Sequence, residues 1–255
     1  MKDFVDRHSI VRSIWGCSDT ILLVFAGAAA EFALNRAVDW LFFTNRIPND
    51  PIGRLFSTVR YAQEIVFADE TGAQKALERI NLAHASVERS RGEHIPEWAH
   101  RDVLYMLIDY SERAYELLRR PLSRKEKEDL YDVFYRVGLG LNVKELPKNY
   151  AEWRIDRQLH LERDLVYSQH TALLYKKYQQ HLGWWRYRLV LWLQAALAPT
   201  RVRDLLKLVP VPLLTSALRA YGLFGVGSVR SVTQRLLLPA NRLKDVRRLD
   251  SAGTA

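Results

Sequence analysis

Helical periodicity runs through this chain almost without interruption, and strand signals are nearly absent. No Asn-Gly or Asp-Gly hairpin dipeptide occurs, and runs of alternation are few. A chain patterned in this way buries helix against helix. Start signals divide the pattern. Asp50-Pro51 places an N-cap before a proline at the first helical position. Thr71 with Gln74, and Ser123 with Glu126, have the spacing of capping boxes, and Asn149 with Glu152 is a weaker variant. The spacing predicts helices near residues 18–44, 51–67, 72–91, 97–119, 124–139 and 150–182, and shorter ones near 184–198, 201–208, 211–223 and 229–247. Arg91-Gly92 ends the third, and a loop runs between Gly138-Leu139-Gly140 and Pro147. No internal repeat or linker is evident. The expectation is an all-α chain with one multi-helix domain over 15–210 and a basic helical C-terminal extension over 211–255.

Composition narrows the chemistry. Hydrophobic residues make up 48% of the 255 and charged residues 26%, which excludes wholesale disorder. The single cysteine, Cys17, excludes an internal disulfide and a cysteine-based zinc or iron–sulfur site. From Arg201 onward there are ten Lys/Arg and three Asp/Glu, so +7 of the net +9 sits there. Such a tail reads as a solvated end or as a contact for an anionic membrane surface. Nucleic acid ranks last, because no recognition motif accompanies the charge. Residues 1–20 lack the pattern of a secretory signal. Ile21–Ala30 is too short to cross a bilayer, Trp184–Pro199 is interrupted by Arg186 and Arg188, and Val209–Val226 is interrupted by two prolines and Arg219. The expected location is cytoplasmic, with peripheral membrane contact through the tail.

Two helices carry candidate chemistry. On 72–91, Ala73, Ala76, Leu77, Ile80, Ala83, His84 and Val87 form one stripe, so His84 is expected to face inward. Two readings stand for it: a core histidine bonded to a carbonyl, or an axial ligand to haem iron. On 51–67, Arg54, Thr58, Tyr61 and Ile65 share a face. Arg54 is either a surface cation or a group that binds a carboxylate, such as a haem propionate, or a substrate oxygen. His160, His170 and His181 lie amid charges; His160 and Asp164, one turn apart, read as a solvated face rather than metal ligands. His94 and His100 flank Pro96 with no assigned role, and the aromatics from Tyr167 to Trp192 read as core or interfacial belt.

Asp50-Pro51-Ile52-Gly53-Arg54-Leu55-Phe56-Ser57-Thr58, followed thirty residues after Arg54 by the Ile80–Val87 segment with His84, resembles the paired signatures of the MpaB/latex-clearing-protein (rubber oxygenase) family. Phe67-Ala68, Asp102-Val103-Leu104 with Ser111, and Leu139-Gly140-Leu141 with Leu146-Pro147 resemble weaker ones. The likeness covers roughly residues 20–210. It implies a globin-like helical core and a haem b-dependent oxygenase that uses O2 on an apolar, isoprenoid substrate by oxidative C=C cleavage. His84 matches the iron ligand, and Arg54 and Thr58 match the distal arginine and threonine. A catalytic carboxylate upstream of the arginine falls on Glu31 or Asp39. Ser57 stands where rubber oxygenases can carry a lysine over the iron. The family's His-Pro pair is missing, and Met106-Leu107-Ile108 replaces its Trp-Val-His stretch. The alternatives are a haem-binding or gas-sensing module without turnover, and a metal-free helical protein held at a membrane surface.

Overall fold

A computed structural model describes residues 2–43 and 51–224. The expected 229–247 helix, the Asp50 cap and the rest of the basic tail lie outside the described residues, as does the Arg54 side chain. The elements are α1 (Ile10–Trp15), α2 (Ser18–Phe32), a 3-10 turn (Arg36–Val38), α3 (Asp39–Phe43), α4 (Pro51–Phe67), α5 (Glu70–Arg91), α6 (Glu97–Leu118), α7 (Arg124–Gly140), α8 (Tyr150–Asp164), α9 (Gln169–Leu182), α10 (Trp184–Leu197), α11 (Thr200–Leu206) and α12 (Pro212–Phe224). The fold is all-α, as expected. Among the described residues extended pairing is confined to two isolated bridges, Asp3 with Asp69 and Asn35 with Leu165.

The core is built on α2 crossing α6. Nearly every side of α2 is apolar and buried, including Ile21, Leu23, Val24, Phe25, Ala28 and Ala30, as suits a helix with neighbours all round. Its small residues let α6 come close. A Cβ at Gly27 would lie 2.3 Å from the Tyr110 ring, so only glycine fits there. Trp15 from α1 packs edge-on against Phe25 and tilted against Phe134 of α7. Fully burying side chains of this size contributes about 1.5–3 kcal/mol each. α12 docks on α6, where Arg119 donates to the Gly222 carbonyl at 2.8 Å.

Several expectations are corrected. The 18–44 helix breaks after Phe32, where Asn35 caps the 3-10 turn by accepting from the Ala37 N–H at 2.9 Å. The 150–182 helix breaks at Leu165, whose extended backbone pairs with Asn35 while the Val166 N–H donates to the Leu34 carbonyl at 2.8 Å. Ser168 then caps α9 with Thr171. The cap of α5 is Asp69, bonded to the Gly72 N–H at 2.7 Å, and not Thr71. α1, too short to carry a periodic signal, went unanticipated. The Ser123–Glu126 box, the Asn149 cap and the left-handed Gly92 that closes α5 are all present.

Candidate functional site

α4 and α5 form a hairpin closed by Ala68–Asp69 and cross-linked by Arg79 to Glu64 at 2.6 Å. Arg54 lies fourteen residues before that link and His84 fifteen after it, each about 22 Å along its helix. The Glu64–Arg79 bond joins the two helices near the turn, and Arg54 and Thr58 on one arm and His84 on the other lie beyond it. Burial on α5 ends early: Ala73, Ala76 and Leu77 are buried, Ile80, His84 and Val87 are half-buried, and Ala83 is exposed. The inward stripe thus has a covered half and a half-open half, and His84 lies in the second. This corrects the fully inward placement expected for it.

The His84 ring lies 5.0 Å from the ring of His100, in the first turn of α6. Burial pushes the His100 ring below its ordinary value of 6.5, against the pull of Glu97 and Glu88, which favours its neutral form. Arg91, two turns beyond His84 on the same face, reaches α3: it bonds Asp39 at 2.8 Å and lies 3.9 Å over the Trp40 ring. α3, α5 and α6 thus bring together two imidazoles, a carboxylate paired with Arg91 and partly covered apolar side chains. The imidazoles are donors of the kind that haem iron takes. His100 falls on the helix expected to begin after Pro96, but it received no role because only the fold brings its ring beside His84.

Of the two carboxylates, Asp39 borders this region and Glu31 does not. Glu31, on α2, is fully buried and accepts both Nη donors of Arg157 at 2.6 Å. Arg157 also bonds Asp109 at 3.0 Å, and Asp109 bonds Arg113 at 2.7 Å. Burial pushes Glu31 upward against the attraction of Arg157. Burial also raises Asp109, but Arg157 and Arg113 outweigh it and hold that carboxyl below its ordinary range. Two buried acids thus face two guanidiniums.

A second polar cluster lies beneath this one on α6 and α8. His160 and Asp164, expected on a solvated face, are buried with Asp102. His160 Nδ1 contacts an Asp102 oxygen and lies 3.1 Å from Asp164 Oδ2. Burial pushes the Asp102 carboxyl above its ordinary range, opposed by His160. The buried side of α8 carries Arg157, His160 and Asp164 beside Trp153 and Leu161, while Ile155 and Leu159 are exposed among charged residues.

Residues 18–227 match the sequence profile of the family described as ER-bound oxygenase mpaB/B'/Rubber oxygenase, catalytic domain. No curated protein and no solved structure matches the chain. No helix among the described residues is long and apolar enough to cross a membrane. With its matched segment spanning both the α4–α5 hairpin and the α2–α6 core, the chain belongs to the mpaB/rubber oxygenase catalytic-domain family.

Proposed function

We propose that this chain is a haem b-dependent oxygenase that uses O2 on an apolar substrate of isoprenoid type, with His84 as the iron ligand and Arg54 and Thr58 on the facing helix. The observation that best supports the reading is membership of an oxygenase family in a chain whose half-buried His84 stands beside a second imidazole, His100. Haem, when bound, supplies the iron that activates O2.

The remaining roles fall to the chain's own groups. His84 presents an imidazole from a rigid helix whose C-terminal end is fixed by the Arg91–Asp39 bond. His100, shifted toward neutrality, keeps a second uncharged ring beside it. Arg54 holds a permanent positive charge suited to a propionate or to a polarised oxygen, and Thr58 adds a hydroxyl donor one turn away. Ser57 stands where the family can carry a lysine, and its hydroxyl would be a weak ligand to iron. Of the two candidate carboxylates, Asp39 is joined to the helix of His84 through Arg91, whereas Glu31 is buried against Arg157. Half-buried Ile80 and Val87 suit an apolar substrate chain.

The test is incubation of haem-loaded protein with a long-chain isoprenoid under labelled O2, followed by mass analysis of the products. Labelled carbonyl products are expected from the wild type and none from His84→Ala. Reversible O2 binding with no labelled product would replace the oxygenase by a sensor.

A further inference from the structure

We infer that Asp102, His160 and Asp164 form a site for one divalent transition-metal ion of the Zn2+ or Mn2+ class, buried between α6 and α8 and separate from the proposed haem site. One ligand atom from each residue lies within 4.8 Å of the other two. The three side chains are 2%, 2% and 5% exposed. His160 Nδ1 is aimed between the two carboxylates, touching one and 3.1 Å from the other. A single N–H serves one acceptor well, whereas a metal ion draws a lone pair from all three.

Charge points the same way. In the neighbouring buried network Glu31 and Asp109 are matched by Arg157 and Arg113. Here the guanidinium beside Asp102 and Asp164 is that of Arg163, which bonds Asp164 at 2.7 and 2.6 Å, lies 3.3 Å from His160 Nε2, and has a side chain 55% exposed. The other oxygen of Asp102 accepts from neutral Asn35 at 2.6 Å. Asp156 adds a third carboxylate 3.7 Å from His160 Nε2. Buried carboxylates without a matching cation are costly, and a divalent ion supplies the missing charge.

The surroundings are those of a metal site. Asn35 and Arg163 orient the two carboxylates from outside, and the Tyr105 ring meets the imidazole edge-on at 5.1 Å while its hydroxyl bonds Asp156 at 2.5 Å. With Nδ1 on the metal, Nε2 keeps its proton toward Asp156, the usual outer-shell pattern. Mixed carboxylate and imidazole donors without sulfur select Mn2+, Fe2+ or Zn2+. Burial on all sides makes the ion structural, joining the break after α2, through Asn35, to α6 and α8. Asp102 follows His100 by two residues and so projects from a different side of α6.

The test uses the full chain. Elemental analysis is run after gel filtration, with porphyrin-bound iron measured separately and subtracted. Chelator-stripped protein is then melted with and without Zn2+ or Mn2+. About one non-haem metal per chain, or a saturable rise in melting temperature, is expected for the wild type and for His84→Ala, which keeps this outcome apart from the fate of the haem reading. Asp164→Asn, isosteric with the native side chain, and His160→Gln lose it; Asn35→Ala weakens binding about 10- to 100-fold. No retained metal together with no ion-dependent rise in the wild type overturns the inference, as does an equal rise in Asp164→Asn. Were both ligand variants to misfold, the wild-type measurements alone decide.

Discussion

Arg157 concentrates more consequence than any other described residue. It is 3% exposed and bonds two buried carboxylates from two helices, Glu31 of α2 and Asp109 of α6. Removing the guanidinium leaves two acids buried with only Arg113 to offset them. Arg157→Met is expected to cost about 3–5 kcal/mol in urea unfolding, and a loss under about 1 kcal/mol would show that water enters the layer. Adding Asp109→Asn and Glu31→Gln to Arg157→Met is expected to recover a large part of that loss, because the uncompensated charges go with it. None of these partnerships was legible in the sequence, where Arg157 is one charge among many. Its partners lie 48 and 126 residues away, and no local period reports such a pairing. The apolar stripe of α5 was legible in part: Ala73, Ala76 and Leu77 are buried, whereas His84, expected to face inward, is half-buried.

At the scale of elements, the Ser123–Glu126 box and the Asn149 cap were legible, whereas the cap of α5 was read at Thr71 instead of Asp69 and the Ser168 cap was not read. Ser123 accepts from the Glu126 N–H, and Glu126 returns to the Ser123 N–H at 2.8 Å while gripping Arg120. Arg120 chiefly, with the Ser123 N–H, pulls the Glu126 carboxyl down to about 2. A depressed acid stabilises above its unfolded value and loses that contribution as pH falls through the folded one. The stability gap between wild type and Glu126→Gln is therefore expected to be full above about pH 4.5 and to close toward pH 2. Ser123→Ala is expected to cost about 1 kcal/mol by denaturant titration. Gly27→Val would push a side chain into Tyr110 and is expected to cost at least about 1–3 kcal/mol. The breaks at Asn35 and Leu165 were not legible, because each depends on the other strand of the bridge. The solvated-face reading of α8 failed because Arg157, His160 and Asp164 fall on the side that also buries Trp153 and Leu161.

For the whole molecule, α4 and α5 pack as a hairpin and Arg91 ties α5 to α3 through Asp39, beside the α2–α6 core. The charge excess after Arg201 belongs to this scale too. Flotation with anionic vesicles is expected for the full chain, to weaken with salt, and to fall on removal of residues 225–255; equal flotation of the shortened chain would move the contact elsewhere. The central claim, that His84 holds haem iron opposite the Arg54–Thr58 turn, is tested most directly by one absorption spectrum. Wild type and His84→Ala, both shown folded by circular dichroism, are supplied with haem and recorded after removal of excess. The account predicts a Soret band with one haem per chain in the wild type and its loss or marked displacement in His84→Ala. Identical spectra from the two proteins, or no haem retained by the wild type, would contradict it.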